Sequence, residues 1–501
     1  MARPGARTLR PLARSVVAAT VVGASLTGVF PGAGGAPFPP TIVRAVPVEV
    51  GDLLPERAGG SLSLGAGGVL RAQADARTSR VRVCAPFWFT ALGVIWVQRG
   101  GGPSAARVAV ADVPNGFGPT DVLESEGGPD PGTAEPFGAN AGTGLLWTGG
   151  SRCARVALQL PGDAVVSDVR AIFVNSSGTA AGPGTSPRGP VGLPSAEAMT
   201  RRPSIVTREE WGANPRLMNC TPGVAPAVKM AFVHHTAGTN NYAPRESDDI
   251  VRSIYAYHTN GRGWCDIAYN FLVDRYGRVF EGRSGGMTKP VIGAAQQGFN
   301  TGSFSVSAIG DFSFARPTDA MKRALQRILT WRLDVAHLPP KGRARMRSHG
   351  GDNNRYPEGE IVSLPVIGYH RMTGYTACPG DRMVALISGV RDRVNAMGLP
   401  KIYRPRLSAS ELAPGARPFE IGAGSSQRLR WQIRVREASG DIVARLPDRR
   451  GQRLDVTWWP RAAPYPRQAG RYMVVLEATA AGELARTAVL SFTYKLGFIV
   501  R

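Results

Sequence analysis

The sequence is poor in lysine and in acidic residues. Of its 60 basic residues, lysine occupies only positions 229, 289, 322, 341, 401 and 495, and 54 are arginine. The 37 acidic residues leave a net charge of +23. A basic excess spread along a chain fits an anionic surface, such as an acidic cell envelope, as well as it fits nucleic acid. No combination of basic and aromatic residues typical of a nucleic-acid-binding module occurs, so nucleic acid is not predicted as a partner.

Long apolar runs are also lacking. The longest apolar stretch, from Ser15 to Phe30, is about 16 residues, whereas a membrane-spanning helix needs about 20. Four arginines precede this stretch, and small residues from Gly32 to Ala36 follow it. This is the layout of a secretory signal peptide, which we predict for residues 1–36, with an uncleaved membrane anchor as the alternative. We therefore expect a secreted or cell-wall protein that has no membrane contact after cleavage.

Cysteine is scarce and its count is odd. Cys84 and Cys153 lie in one candidate domain, and Cys220 and Cys265 lie in the next. Pairing within domains would give two disulfides in an oxidising compartment and leave Cys378 free. The count alone leaves other pairings open. A free thiol outside the cell often serves as a metal ligand.

The composition changes several times along the chain. Short alternating runs separated by turn clusters predict β-sandwiches, whereas strands that alternate with amphipathic helices predict an α/β domain. The expected fold is an α/β domain, with a mixed sheet and flanking helices, between two all-β sandwich-like domains. The predicted order is a flexible lead-in (37–75), a β-sandwich (76–175), a linker (176–203), the α/β domain (204–398), a linker (399–410) and an immunoglobulin-like β domain (411–501).

The six histidines include a set suited to zinc. His234 and His235 end a buried-looking strand, and His370 precedes Cys378 by eight residues. Two imidazoles and one thiolate would leave the fourth tetrahedral position of a zinc ion open, as catalysis requires. By spacing alone, a structural histidine and a buried thiol are the favoured interpretation.

Several motifs in a fixed order give this set a context. They are IVTREEWGA (205–213), VHHTA (233–237), GWCDIAYNFLV (263–273), DRYGRVFEGR (274–283) and TACPG (376–380). Residues 204–398 thereby resemble the peptidoglycan recognition proteins, a family that includes zinc-dependent type 2 N-acetylmuramoyl-L-alanine amidases. The chain looks like a bacterial secreted member of this family.

The resemblance implies roles for individual residues. His234, His370 and Cys378 match the zinc ligands, and Tyr269 matches the tyrosine whose hydroxyl assists at the reacting carbonyl. Thr376 stands where the family uses threonine or lysine. His235, Asn300 and Arg283 are expected beside the ligands or against the substrate. His349 is the rival ligand, but it lacks the spacing to a cysteine.

The resemblance also implies an activity. A Zn²⁺ ion would activate water to hydrolyse the amide bond between N-acetylmuramic acid and L-alanine in peptidoglycan, with anionic cell-wall polymers as a second expected partner. A peptidoglycan-binding module without activity is the main alternative, and a cysteine peptidase with Cys378 as nucleophile is another. Two positions depart from the family pattern. Met372 replaces a frequent aspartate, and Gly293 to Ala295 lack a frequent histidine.

Overall fold

Most of the chain after the predicted signal peptide is described by the computed structural model. The described residues are 38–55, 61–102, 104–112, 116–133, 135, 140–177, 201–412, 419–458 and 469–494. The predicted signal peptide and most of the predicted linker 176–203 lie outside these ranges. Within them, every helix is too short or too polar to cross a bilayer.

Residues 38–177, the N-terminal β region, form one connected antiparallel sheet. Its strands are β1 (Ile42–Pro47), β2 (Leu62–Gly65), β3 (Val69–Ala72), β4 (Ala76–Arg77), β5 (Val81–Arg99), β6 (Ala105–Asp112), β7 (Gly116–Glu124), β8 (Asn140–Gly142), β9 (Leu146–Leu160) and β10 (Val165–Asn175). The main order is β2-β3-β10-β5-β9-β6-β7, with β1 on β10, β4 on β9 and β8 on β5. The region is all-β, as expected.

The lead-in expected at residues 37–75 instead contains strands. β1 pairs with β10 along its whole length, from Ile42 opposite Asn175. β2 and β3 form a hairpin whose turn contains Gly67 and Gly68, both at positive φ. Glycine adopts this backbone conformation without steric cost, so a glycine-rich stretch made a tight turn here and not a flexible segment. The expectation of a lead-in was wrong for these residues.

Strand β5 is buried on both faces over its second half. Phe89, Val94 and Trp96 point into the core of the N-terminal β region. Ala91 and Ile95 instead join a second core, which they share with helix residues of the following region. Because successive side chains of a strand face opposite ways, an uninterrupted apolar run serves two cores at once. The sheet is therefore docked on its neighbour through apolar side chains.

Residues 201–398, the central α/β region, contain a mixed six-stranded sheet and a hairpin. The strands are β11 (Ile205–Val206), β12 (Met230–His235), β13 (Phe271–Val273), β14 (Val279–Glu281), β15 (Ser303–Ala308), β16 (Arg343–Arg347), β17 (Ile361–Pro365) and β18 (Ile367–Tyr369). The sheet order is β11-β14-β13-β15-β12-β18, and β16 pairs with β17. β12 is wholly buried and pairs in parallel with β15 and β18.

Four helices flank this sheet. They are α1 (Ser247–Ala256), α2 (Asp319–Val335), α3 (Asp381–Val384) and α4 (Ile387–Ala396). α2 begins after Thr318, whose side chain accepts a hydrogen bond from the Met321 N–H group, as a helix N-cap does. α2 and α4 share one core with the sheet, whereas α1 lies in the core that includes β5 and β10. The α/β prediction for this region is confirmed.

Residues 399–494, the C-terminal β region, form a six-stranded sheet. Its strands are β19 (Ile402–Leu407), β20 (Glu411–Leu412), β21 (Phe419–Glu437), β22 (Ile442–Trp458), β23 (Gly470–Ala480) and β24 (Glu483–Tyr494). The order is β19-β21-β23-β24-β20, with β22 on β21. Residues 399–410 were expected to be a linker, but β19 pairs there with β21. The linker expectation was wrong because this stretch becomes a strand by pairing with β21, 14 to 23 positions further along the chain.

Both disulfides expected from pairing within domains are present. Cys84 on β5 is bonded to its register partner Cys153 on β9. Cys220 is bonded to Cys265, which lies in the loop between α1 and β13. Cys378 is free and buried.

Candidate metal centre and active site

The two histidines predicted as metal ligands lie at the carboxyl ends of neighbouring parallel strands. His234 is the second-last residue of β12, and His370 directly follows β18. The carboxyl ends of parallel strands meet at one edge of a sheet, which is where α/β folds bind their ligands. The register of β12 with β18 therefore brings together two residues that are 136 positions apart.

Backbone groups fix the third predicted ligand. Cys378 lies in the loop that precedes α3. Its Sγ atom accepts a hydrogen bond of 3.3 Å from the backbone N–H group of His235. Its own N–H group donates to Oγ1 of Thr376 over 3.1 Å. These two hydrogen bonds hold the thiol against the end of β12.

The three side chains are close enough to share one ion. One potential ligand atom of each lies within 4.8 Å of the others. Sγ of Cys378 is 3.8 Å from Nδ1 of His234, and the two imidazole ring centres are 4.7 Å apart. Nε2 of His234 is buried without a hydrogen-bond partner among the described residues. His349 is not in the group. Two nitrogens and one sulfur are the donor set that Zn²⁺ prefers, so the residues fit this ion.

The electrostatics of the group also suit a cation. Burial lowers the pKa of His370 to about 3 and holds the pKa of His234 well below its usual value, so both imidazoles are neutral and can coordinate a metal. Burial raises the pKa of the Cys378 thiol, and the nearby carboxylates of Glu124 and Glu126 raise it further. A bound cation would reverse these effects on the thiol.

Tyr269 lies beside the three ligands. Its ring centre is 5.6 Å from that of His234, and its hydroxyl donates a 2.5 Å hydrogen bond to Oε1 of Glu126. Burial, and then the charge of Glu126, raise the pKa of Tyr269 well above its usual value. The hydroxyl therefore remains protonated and able to donate.

Glu126 belongs to a stretch of the N-terminal β region that we call the acidic segment, residues 124–133 and 135. It begins with the last residue of β7 and carries Glu124, Glu126, Asp130 and Glu135. Three of these carboxylates contact the other residues predicted to surround the centre. Glu124 accepts from Oγ1 of Thr376 over 2.8 Å, Asp130 accepts from Nδ2 of Asn300 over 2.9 Å, and Glu135 forms a buried ion pair with Arg283.

His235 points away from the three ligands. Its Nδ1 atom accepts a hydrogen bond from the Phe312 N–H group over 3.2 Å and lies 3.5 Å from a carboxylate oxygen of Asp311. Its contact with the centre is through its backbone, which holds the Cys378 thiol.

At the position of one departure from the family pattern, Ala295 is buried against the backbone of Gly127 in the acidic segment.

The acidic segment and Gln296 were missed by the reasoning from sequence. Gln296 donates a hydrogen bond of 3.2 Å to the carbonyl oxygen of His370. A signal for the acidic segment does exist in the sequence. Between Arg107 and Arg152 there is no lysine or arginine but six acidic residues, which is unusual in a chain of charge +23. Nothing in that local pattern indicates which surface the segment covers.

Comparison with known proteins places these features in a family. Residues 224–381 match the family model described as Amidase_2, N-acetylmuramoyl-L-alanine amidase. Peptidoglycan-recognition protein SC2 of Drosophila simulans is 31% identical over 182 residues, which cover 36% of this chain and 82% of that protein. Peptidoglycan recognition protein 1 of Rattus norvegicus is 34% identical over 129 residues, covering 25% of this chain and 64% of that protein.

A solved structure is also similar to part of the chain. The wild-type PGRP-LB protein of Drosophila is 22% identical, with a TM-score of 0.30, and the match covers 37% of this chain and 92% of that one. The sequence relatives carry the assignment. The chain belongs to the family of peptidoglycan recognition proteins and type 2 amidases.

Proposed function

We propose that this protein is a secreted zinc amidase that hydrolyses the amide bond between N-acetylmuramic acid and L-alanine in peptidoglycan. The observation that carries the proposal is the group of His234, His370 and Cys378 with the Tyr269 hydroxyl beside it. The names of the relatives support peptidoglycan as the ligand. The description of the matching family model supports the reaction.

Each side chain of the centre would have its own role in the reaction. His234, His370 and Cys378 would hold a Zn²⁺ ion, which when bound polarises a carbonyl group and makes water a stronger nucleophile. Tyr269, protonated and buried, would donate a hydrogen bond to the oxygen that becomes negative as the amide is attacked. Thr376 would add a second donor from the loop that positions Cys378. Arg283 and Asn300, which contact the acidic segment as Tyr269 and Thr376 do, would contact the substrate away from the reacting bond.

Two alternative functions of this site are a peptidoglycan-binding module and a cysteine peptidase. A peptidoglycan-binding module without activity is the second candidate, because the relatives are named as recognition proteins. A cysteine peptidase would need an activated thiolate at Cys378, whereas burial raises the pKa of this thiol. The structure therefore favours the metal-dependent reaction over a thiol nucleophile.

The proposal is tested by the products formed from purified muropeptides. We expect the zinc-loaded protein, at high concentration and long incubation, to release a free peptide that begins with L-alanine and an intact sugar fragment. Mass spectrometry distinguishes these products from those of glycosidases and peptidases. Treatment with a chelator should abolish the products, and added Zn²⁺ should restore them. Muropeptides that are bound but not cleaved by the loaded protein would support the binding module instead.

A further inference from the structure

The polar side chains predicted to face the substrate already form hydrogen bonds or ion pairs with other residues of the protein. Four residues were expected there in addition to the ligands and His235, and each contacts a carboxylate of the acidic segment. The pairs are Tyr269 with Glu126, Thr376 with Glu124, Asn300 with Asp130, and Arg283 with Glu135. Backbone groups join in, since the Ala377 N–H group donates to Glu124 over 2.6 Å and the Cys265 N–H group donates to Glu135 over 3.1 Å. The segment thus satisfies the donors that a substrate would need.

The centre beneath these contacts is closed to solvent. His234, His370, Cys378 and Tyr269 are 1%, 4%, 7% and 3% exposed. Glu126 is further held by Nε2 of His258 at 3.1 Å, next to Arg262. These four side chains therefore present little surface to a polymer such as peptidoglycan. In this arrangement the candidate metal centre is therefore closed.

The acidic segment is attached differently from the rest of its region. Strands β5 and β10 dock on α1 through an apolar core, in which Ile95 and Ile172 pack with Ile254. The segment contacts the central α/β region mainly through hydrogen bonds and ion pairs, which water or an anionic ligand can replace. Next to it lies a cavity of about 460 Å³, lined in part by Gly127, Gly128 and Trp264. Displacing the segment would therefore break polar contacts and leave the apolar packing of the strands intact.

We propose that the acidic segment is an internal inhibitor of the amidase, which occupies the substrate groove until it is displaced. This proposal rests on the proposed function, because it assigns the covered groups to substrate binding. It adds to that function that the folded protein has little amidase activity until the acidic segment is displaced. It also explains why the segment is rich in carboxylates and lacks cations, since its partners are hydrogen-bond donors and Arg283.

The test compares two double variants of the full-length protein. Glu124→Ala/Glu126→Ala removes the contacts with Thr376 and Tyr269 but keeps the ion pair of Arg283. Glu49→Ala/Asp52→Ala removes two exposed carboxylates of the same region and is the matched control. N-ethylmaleimide labels the metal-free proteins, in which Cys378 is the one cysteine outside a disulfide. Amidase turnover of a soluble muropeptide is measured separately on the zinc-loaded proteins.

We expect labelling of Cys378 and turnover each to rise about tenfold or more in Glu124→Ala/Glu126→Ala and to stay at the wild-type level in the control. Circular dichroism checks the fold, and Glu124→Gln/Glu126→Gln, which keeps the side-chain shape, should show a smaller rise. Unchanged labelling would overturn the proposal. Faster labelling with slower turnover than wild type would also overturn it, since the glutamates would then belong to the working site. If the variant is labelled faster but neither it nor the wild type cleaves any muropeptide, the closed groove is supported. Only the proposed amidase activity is then contradicted.

Discussion

The variant Cys378→Ser is expected to lose zinc and, with it, amidase activity. A serine hydroxyl at this position is a far weaker zinc ligand than a thiolate, and two imidazoles alone leave the ion poorly held. Since altering even the groups that orient a ligand typically costs 10- to 100-fold in metal affinity, we expect a loss of about 10²-fold or more from replacing the ligand itself. Zinc content after dialysis, measured by mass spectrometry, and turnover of a soluble muropeptide check this.

His349→Ala is the matched control for this prediction. His349 was the rival ligand in the sequence but is outside the group formed by the other three side chains. We expect this variant to keep its zinc and its turnover. If Cys378→Ser retained zinc while His349→Ala lost it, the metal would have to be held elsewhere and the assignment of the centre would be wrong.

The second large effect is expected from Tyr269→Phe, which should lower turnover by about 10²–10³-fold without releasing zinc. The substitution removes the hydroxyl that would stabilise the developing negative charge and leaves the ring, which packs beside His234, in place. The loss should appear in kcat more than in KM, because the hydrogen bond forms mainly in the transition state.

Tyr242→Phe is the control for this effect. Tyr242 is also buried, but its hydroxyl donates to the carbonyl oxygen of Ile309, away from the three ligands. Its turnover should stay near that of the wild type. Equal turnover of Tyr269→Phe and wild type, at full zinc content, would remove Tyr269 from the reaction.

The parts of the structure that follow local patterns were accessible from sequence. The wholly apolar β12 ending in two histidines, the capped helix that begins after Thr318, and the eight-residue spacing from His370 to Cys378 all have short-range signatures. The parallel register of β12 and β18 then turns these separate signals into one centre. The family resemblance had implied that these residues act together as metal ligands, but it had not implied the strand pairing that joins them.

The parts that depend on pairing with another segment of the chain were not accessible. β1 and β19 lie in stretches rich in proline, glycine or arginine, and each becomes a strand only because a partner, β10 or β21, offers its edge. The acidic segment is the clearest case. Its charge pattern is visible in the sequence, but the contact of Glu124 with Thr376 spans 252 positions. Which surface a segment contacts depends on the tertiary structure, and the charge pattern of the segment does not encode it.

The central claim is that His234, His370 and Cys378 together hold one Zn²⁺ ion. X-ray absorption at the zinc edge of the full-length, zinc-loaded protein tests it most directly. We predict one sulfur at about 2.3 Å and nitrogen or oxygen atoms at about 2.0–2.1 Å, for a total of four ligands. The sulfur signal should disappear in Cys378→Ser. A wild-type spectrum without any sulfur, or one unchanged by this substitution, would contradict the account.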